Sequence, residues 1–480
     1  MIFVCLAIFA VTGAQAAIFD ITDYGAVAND PTFAINNTRA INAAFAAAQA
    51  ADATTPSTVM IPSSSSGPFW ALGGITAANL TNVTVRLDGN LTAHADFKDW
   101  PLTDPKHYAH FIHLVDCVGL SLTGAGTVDG QGVGWWNRMI LPAVFGKLPA
   151  KRPKLVQIEA STDVLVDGWT LVNSPSFHLL LTDVLRVEVR NIDVVVDRAK
   201  QRALKAHLRA RRRRRRLGSA LDVLGAGLQP EDLNTDGIDP SGADIWIHDC
   251  RILNDDDSIA VKPCSATKCP HSGAGCTANL LVENMVLTGF GASIGSVPPE
   301  APTPNCVRNV TFRNISMPGT GKGVYVKSNP TCGDFGKGVK HGVIQDILYE
   351  DISITKPSWW AVWIGPQQQQ EPHTALGRKC SLLYPLNKGK ACPTQGCVDF
   401  RNITLRRVTI VDPALSPGVL LGNATNPMQG VLFDTVRVVD SKNRSLARGY
   451  WPFKGNYECK AVHGRAVNSV PVPPCFSSGG

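Results

Sequence analysis

The stretch Val184-Leu-Arg-Val-Glu-Val-Arg-Asn-Ile-Asp-Val-Val-Val196 alternates apolar with polar or charged residues, and most of its apolar residues are β-branched. This two-residue period is typical of a β-strand and not of a helix. Similar runs return along the chain, many of them at intervals of about 20 to 37 residues, and end at Gly, Asn, Asp or Pro. They lie at residues 80–87, 118–122, 164–171, 245–252, 280–287, 310–315, 347–354, 403–410 and 431–438.

Recurrent strands at such intervals favour a solenoid, in which stacked coils share one continuous core. We therefore predict an all-β protein that folds as a parallel β-helix, with a β-propeller or a β-sandwich as the competing all-β folds. Helix-period stretches are nearly absent. The one good candidate is 38–51, where Ile41, Ala44, Phe45 and Ala48 share a face. This short N-terminal helix would cap the open end of the strand stack.

The charge of the chain is concentrated in one segment. Of the 480 residues, 44% are hydrophobic and 18% are charged, which excludes a disordered protein, a collagen and a coiled coil. Eleven Lys or Arg lie between Arg198 and Leu217, and without them the net charge of +7 becomes about −4. We interpret about 198–230 as a basic insert, with a surface loop, a retained intron, a protease site or a segment that binds a polyanion as the possible explanations. The overall charge is therefore no evidence for a nucleic-acid partner.

The N-terminus predicts export. Residues 1–16 are apolar and end in Ala14-Gln15-Ala16, the small-x-small pattern of a signal-peptide cleavage site. The following chain, 17–480, is expected to form a single domain, with no membrane-spanning segment and as a monomer. It contains twelve cysteines, an even number suited to disulfides, and nine Asn-x-Ser/Thr sequons that predict a glycoprotein. We expect a secreted protein, located extracellularly or in a cell wall.

Carboxylates are densest in two short segments, Asn234-Thr-Asp-Gly-Ile-Asp239 and Asn254-Asp-Asp-Asp-Ser258. About 20 residues separate Asp236 from Asp256, close to one coil of a solenoid, so the two segments are predicted to lie on neighbouring rungs about 4.8 Å apart. Closely spaced carboxyl groups cannot all ionise easily, so the pKa of one is raised while another stays ionised. Such a difference in pKa lets one group act as a general acid and another as a general base. That pairing suits glycoside hydrolysis. The alternatives are ordinary turn residues and a calcium site on Asp255, Asp256 and Asp257.

With these residues in view, the chain resembles the polygalacturonase family, glycoside hydrolase family 28. The resemblance covers most of the chain after the predicted signal peptide, in order. It runs through Phe19-Asp-Ile-Thr-Asp-Tyr-Gly-Ala26, Gly124-Ala-Gly-Thr-Val-Asp-Gly-Gln-Gly-Val-Gly-Trp-Trp136, Arg152-Pro153, Asn173-Ser-Pro175, Asn234-Thr-Asp-Gly-Ile-Asp239, Asp256-Asp-Ser-Ile-Ala260 and Ser293-Ile-Gly-Ser296.

The family resemblance implies a right-handed parallel β-helix that hydrolyses pectic polysaccharide with inversion. It implies that Asp256 is the general acid and that Asp236 and Asp257 hold and deprotonate the attacking water. It implies no cofactor and no metal. Candidate substrate-binding residues are Asn234, Lys327 and Tyr325. An inverting pair of carboxyl groups is expected to lie about 6.5 to 9.5 Å apart.

Two positions depart from the family pattern. The family's Gly-His-Gly segment stands here as Gly289-Phe290-Gly291, and its Arg-x-Lys segment as Tyr325-Val-Lys327. Lys327 can replace the missing guanidinium only as a point charge, and Tyr325 is a candidate for stacking on a sugar face. These departures put the substrate in doubt more than the reaction.

The sequence thus predicts a secreted, polygalacturonase-like glycosidase that cleaves α-linked galacturonic-acid polysaccharide. One alternative is a calcium-dependent pectic lyase. The other is a pectin-binding wall protein that has lost its activity.

Overall fold

A computed structural model describes residues 17–51, 55–140, 148–199, 234–300, 302–329, 340–368, 380, 384, 392, 394, 396–441 and 449–478. The predicted signal peptide and residues 200–233 of the predicted basic insert, including Arg211 to Arg216, lie outside the described residues. The described helices are α1 (Ala34–Ala50) and α2 (Val133–Ile140), with 3-10 turns at Ile21–Tyr24 and Pro31–Phe33. Neither described helix has the length and hydropathy of a membrane-spanning segment.

The rest of the described chain is mainly short strands. In chain order, β1 to β9 are Ala17–Asp20, Ser57–Ile61, Phe69–Ala71, Ile75–Ala78, Val83–Leu87, Asn90–Ala93, Leu102–Asp104, His107–Tyr108 and Ile112–Val115. Strands β10 to β19 are Ser121–Thr123, Thr127–Asp129, Val156–Glu159, Thr162–Asp167, Thr170–Val172, Leu179–Arg190, Asp193–Val195, Ile238–His248, Arg251–Leu253 and Ile259–Val261. Strands β20 to β31 are Thr277–Leu287, Ala292–Val297, Cys306–Pro318, Val324–Ser328, Gly342–Thr355, Val362–Gln367, Val398–Val411, Gly418–Leu421, Met428–Val439, Tyr457–Lys460, Val462–Val467 and Ser477–Ser478.

These strands confirm the predicted right-handed parallel β-helix. In the described part of the chain, 29 strands join into one sheet, and its strand pairs are parallel. Each coil contributes one strand to each of up to three faces of the solenoid. We call one of them the site face. It consists of β4, β9, β12, the starts of β15 and β17, and then β19, β21, β23, β25, β27 and β29.

Alternation in the sequence places every second side chain of a strand inside the solenoid. In β24, Ile347, Tyr349, Ile352 and Ile354 are buried, and the polar residues between them point outward. The ring of Tyr349 stacks on Phe312 of the preceding coil, with ring centroids 4.7 Å apart. Each fully buried aliphatic or aromatic side chain contributes about 1.5–3 kcal/mol. Stacked coils therefore share one core, which no coil could form alone.

Asparagine residues hold the bends between faces. Asn279 and Asn309 have φ of +59° and +52°, the left-handed conformation that asparagine tolerates better than most residues. The Nδ2 of Asn309 donates to the Oδ1 of Asn279 at 2.8 Å, and Asn314 donates to Asn284 in the same way. These asparagine ladders repeat one hydrogen bond from coil to coil and fix the register of the stack.

The N-terminal helix confirms the predicted cap, although it begins earlier than expected, at Ala34. The four predicted face residues, Ile41, Ala44, Phe45 and Ala48, are buried. Asn37 Nδ2 donates to the carbonyl of Trp70 at 2.8 Å, and Thr38 Oγ1 donates to that of Leu72 at 2.9 Å. The cap therefore pairs backbone groups at the end of the strand stack as well as covering apolar side chains.

The second helix, α2, was not expected from the sequence. Its eight residues are too few for a clear helical period. Tertiary contacts hold it instead: Trp136 Nε1 donates to the carbonyl of Ser174 at 3.0 Å, and the ring of Trp135 packs edge-on against Tyr108.

The cysteines confirm the disulfide prediction. Between pairs of described residues, four bridges join Cys264 to Cys269, Cys276 to Cys306, Cys380 to Cys392, and Cys459 to Cys475. Cys117 and Cys250 are free and buried, so the even number of cysteines does not mean that every one is paired. Both thiols pack inside the solenoid as small apolar side chains, and burial raises the pKa of Cys250 to about 12.

Candidate active site

The two carboxylate segments lie on neighbouring coils, as predicted. Asp236 precedes β17, and Asp256 and Asp257 precede β19. Ile238 pairs with Ile259, and the amide of Gly237 donates to the carbonyl of Asp257 at 2.9 Å. One carboxylate oxygen from each of Asp236, Asp256 and Asp257 lies within 4.8 Å of the others. The strand register therefore brings Asp236 next to the adjacent pair Asp256 and Asp257, which follow it by 20 and 21 residues in the chain.

A buried asparagine fixes the turn that carries Asp256 and Asp257. Asn254 Nδ2 donates to the carbonyls of Thr235 and Asp257, both at 2.9 Å, while Ser258 Oγ donates to Asn254 Oδ1 at 2.8 Å. These bonds tie the two turns together through the asparagine. The acids are thus held by a rigid backbone frame and not by a free loop.

Asp257 is the ionised member of the cluster. Its carboxylate forms an ion pair with Lys327 and accepts a hydrogen bond from Ser293 Oγ at 2.7 Å. Burial alone would raise the pKa of Asp257. The charges of Lys327 and Lys262, together with these hydrogen bonds, outweigh burial and hold the pKa below its usual value. Asp257 is therefore a base at neutral pH.

Asp256 has the opposite electrostatic environment. Burial, followed by the charges of Asp236 and Asp257, raises the pKa of Asp256 to about 8. Its carboxyl group accepts hydrogen bonds from the amides of Asn234 at 2.5 Å and Asp257 at 2.8 Å. At neutral pH Asp256 carries a proton, so the site contains a protonated carboxyl beside an ionised one. This arrangement can donate a proton to a leaving oxygen and accept one from water.

Asp236 sits on the other side of the cluster with Asp239 and Lys262. The Lys262 ammonium lies 3.3 Å from Asp236 Oδ2 and 3.2 Å from Asp239 Oδ2. Burial, followed by the charge of Asp239, raises the pKa of Asp236 to about 8, although Lys262 opposes the shift. Asp236 Oδ1 is buried and has no hydrogen-bond partner in the described part of the chain.

The spacing of the carboxylates does not decide between inversion and retention. The 4.8 Å limit applies to one oxygen of each residue, whereas the roughly 6.5–9.5 Å of inverting and the roughly 5–5.5 Å of retaining glycosidases are separations between whole carboxyl groups. The spacing therefore gives no support to inversion, which rests on the family resemblance.

The predicted substrate-binding residues occupy three different settings. Asn234 is exposed, and its Oδ1 accepts a hydrogen bond from Arg152 at 3.4 Å. Lys327 is buried, and its ammonium is paired with Asp257. Tyr325 is 2% exposed, with the Lys327 ammonium 4.4 Å from its ring centre. Direct stacking of a sugar on Tyr325 does not fit this placement, because the neighbouring coils cover the ring.

Two charged residues near the cluster were assigned no role from the sequence. Asp239 lies three residues after Asp236 in the same short segment, and this closeness in sequence was the available signal. Lys322 precedes β23 between two glycines, where no local pattern marks it as buried. The structure packs Lys322 against the rings of Phe290 and Tyr325, the two residues that depart from the family pattern.

The calcium site considered for Asp255, Asp256 and Asp257 does not form as such. Asp255 accepts a hydrogen bond from Arg198 at 3.0 Å, and Asp236 takes its place in the three-carboxylate set. That set has the size of a divalent-cation site. The ammonium groups of Lys262 and Lys327 already lie against its acids, however, and supply positive charge there.

The chain is similar to known glycoside hydrolases. A family model described as Glycosyl hydrolases family 28 matches residues 52–378. An endo-polygalacturonase of Pectobacterium carotovorum subsp. carotovorum is 28% identical over 313 residues, which cover 61% of this chain and 63% of that enzyme. The match thus spans less than two thirds of the relative's length.

Solved structures share the fold. A hyperthermoactive exopolygalacturonase from Thermotoga maritima has a TM-score of 0.61 at 16% identity, covering 95% of this chain and 92% of that one. Endopolygalacturonase I from Stereum purpureum, complexed with two galacturonates, has a TM-score of 0.53 at 16% identity, covering 86% and 95%.

Proposed function

The chain belongs to family 28 of the glycosyl hydrolases, and on this premise we propose that it hydrolyses α-linked galacturonic-acid polysaccharide of pectin. The observation that carries the proposal is the contrast between two adjacent carboxyl groups. The pKa of Asp256 is raised to about 8 while that of Asp257 is lowered, which matches the needs of an acid and a base. The polygalacturonase relatives support a pectic substrate.

In the proposed mechanism, Asp256 donates its proton to the glycosidic oxygen as the bond from that oxygen to the anomeric carbon breaks. A water molecule held by Asp236 and Asp257 attacks the anomeric carbon, and its proton passes to Asp257. The new bond joins the water oxygen to the sugar. Asp257 suits the base role better than Asp236, because Lys327 keeps it ionised whereas the pKa of Asp236 is raised.

We propose that the reaction inverts the anomeric centre, as the family resemblance implies. Proton NMR of the first product from an α-linked substrate measures this directly. A β-anomer as the initial product agrees with water attacking in one step. An α-anomer would instead fit a covalent intermediate.

The activity is tested by reducing-sugar release from polygalacturonate, methylated pectin and rhamnogalacturonan, with EDTA present. We expect release from polygalacturonate by the wild type, and a loss of about 10²- to 10⁴-fold in Asp256→Asn. Asp255→Asn is the matched control, because the neighbouring Asp255 accepts a hydrogen bond from Arg198 and lies outside the three-carboxylate set. Equal activity in Asp256→Asn and Asp255→Asn would refute the assigned acid.

Two alternative functions have distinct readouts. A calcium-dependent lyase would lose activity in EDTA and produce unsaturated ends that absorb in the ultraviolet. An inactive pectin-binding protein is suggested by the burial of Tyr325 and by Phe290, and it would bind polygalacturonate without releasing reducing ends. We also propose that the protein is secreted and monomeric. The four described disulfides agree with an oxidising compartment.

A further inference from the structure

A groove of about 580 Å³ lies towards the C-terminal end of the solenoid, on a face other than the site face. We call it the ladder face, because it lies between the two asparagine ladders. Its strand segments include 280–283, 310–313, 347–350, 403–406, 431–434 and 464–467. Strands β26, β28 and β30 line the groove, whose volume is typical of a ligand-binding site.

The groove forms where one of the ladders ends. Asn402 Nδ2 donates to Asp346 Oδ1 at 2.9 Å, which continues the ladder as far as β26. The next coil has Gly430 at this position, and a glycine has no side chain to carry the ladder on. The pairing of β28 with β30 shifts at the same point, so that no residue of β30 stands opposite Gly430. The missing side chain and the missing residue leave the space open.

Polar groups in the groove are not used by the described part of the chain. Within it, Asn402 Oδ1 accepts no hydrogen bond, and Thr404 Oγ1 forms none. Arg465 is exposed and forms no ion pair with a described residue. Other arginines of the ladder face are paired: Arg190 with Glu188, Arg313 with Glu283 and Arg406 with Glu350. Arg465 is therefore available to an anion, and its planar guanidinium matches the shape of a carboxylate.

A row of outward side chains leads from the groove along the ladder face. In the strand register Arg465 lies beside Leu432, which lies beside Thr404. The row continues, one partly exposed side chain per coil, through Leu348, Thr311, Leu281 and Trp246. Neighbouring coils are about 4.8 Å apart, so the row is about 29 Å long. It ends at Trp246, an indole that is 41% exposed. A long, mostly apolar row suits an extended chain of sugar rings, which present C–H groups on their faces, better than a small anion.

We propose that the groove is a second, non-catalytic binding site for an acidic polysaccharide. A sugar carboxylate binds Arg465, hydroxyl groups bind Asn402 and Thr404, and further rings of the chain lie along the row. The catalytic acids are on earlier coils, before β17 and β19 of the site face, so this site holds the polymer without reaching them. The inference goes beyond the proposed function, which supplies only the choice of galacturonate as the probe.

The proposal requires that Asn402 carry no glycan. Asn402-Ile-Thr404 is one of the nine sequons, and a glycan on Asn402 would fill the groove. The Nδ2 atom that would carry it donates instead to Asp346. Peptide mass spectrometry of the protein from its natural source should find Asn402 unmodified. A glycan at this position would overturn the inference.

The binding test titrates tetragalacturonate by calorimetry, in the Asp256→Asn background so that the probe is not consumed. We expect two molecules bound per chain. Arg465→Met should weaken one of these two binding events by about tenfold or more, and the methyl ester of the probe should lose the same event. Arg437→Met is the matched control, because Arg437 is an exposed arginine of β28 that lies outside the groove and forms no ion pair with a described residue. Arg465 is exposed, so Arg465→Met should keep the melting temperature of its parent.

Two results would overturn the inference. One is binding by Arg465→Met that equals binding by its parent. The other is equal weakening by Arg437→Met, which would show a general attraction between charges and not a site. If Arg465→Met loses a binding event but the wild type releases no reducing sugar from polygalacturonate, the proposed function fails and the inference stands. If the wild type cleaves polygalacturonate and Arg465→Met binds as its parent does, the inference fails and the proposed function stands.

Discussion

Replacing Lys327 by methionine should destabilise the protein strongly, because it leaves Asp257 as a buried carboxylate without its ion-pair partner. Both side chains are only 2–3% exposed, so solvent screens little of their interaction. Two unit charges in contact attract each other by about 4 kcal/mol at an effective dielectric constant of about 20. Breaking a buried pair from one side typically costs about 3–5 kcal/mol. We expect a loss of that size in the free energy of unfolding at pH 7.

The loss of stability in Lys327→Met should depend on pH. In the wild type the pKa of Asp257 is held below its usual value, so its stabilising contribution is complete above pH 4 or so and is lost as the pH falls through the folded-state pKa. Without Lys327, burial becomes the stronger influence and raises the pKa. Protonation of Asp257 then relieves the penalty, and the deficit of the variant should shrink as the pH falls from 7 towards 4.

Urea unfolding at several pH values measures both effects. Lys268→Met, which removes a half-exposed lysine paired with Glu300, should cost no more than about 1 kcal/mol. The double variant Lys327→Met with Asp257→Asn removes both charges and should be more stable than Lys327→Met alone. The reasoning fails if Lys327→Met costs no more than the control, or if its deficit is the same at pH 4 and pH 7.

Three further predictions concern the site and the cap. The rate of polygalacturonate cleavage should fall as the pH rises through about 8, because Asp256 loses its proton there. It should also fall at acidic pH, below the usual carboxyl pKa, because Asp257 gains a proton there. A rate that keeps rising above pH 9 would contradict this. Ser293→Ala removes a hydrogen bond to the Asp257 carboxylate, so it should lower the free energy of unfolding by about 1.5–3 kcal/mol. It should also move the acidic limb of the pH–rate profile to higher pH. An unmoved limb would argue against Asp257 as the base. Phe45→Ala should lower the free energy of unfolding, measured with urea, by about 3–5 kcal/mol, because it removes a buried ring from the capping helix. It should leave kcat unchanged, since Phe45 lies far from the acids in sequence. A loss under 1 kcal/mol would show that the helix is not needed as a cap.

The fold was predictable because its signal repeats. Residues 184–196 show the strand period clearly, and their recurrence along the chain turns a local pattern into a solenoid. The register followed too, since one coil separates Asp236 from Asp256. The short helix α2 was missed because it depends on contacts of Trp135 and Trp136 with distant coils, which no local period encodes.

The acids of the site were predictable, but their charge partners were not. Lys327 lies 70 residues from Asp257 in sequence, and only the stacking of three coils brings them together. Tyr325 was expected to face a sugar, yet alternation along β23 says only that it points outward and not that a further layer of aromatic side chains covers it. The burial of Lys322 against Phe290 and Tyr325 is a property of its whole surroundings, so a single sequence contains no sign of it.

The asparagine ladders have a consequence for how the molecule comes apart. Each coil bonds only to the coils beside it, so the stability of the stack is a sum of contacts between neighbouring coils and does not depend on one central nucleus. Such a stack can fray from an end while its interior stays zipped. The acids and their lysines occupy middle coils, between residues 236 and 327, and are therefore buffered at both ends by coils that can open first.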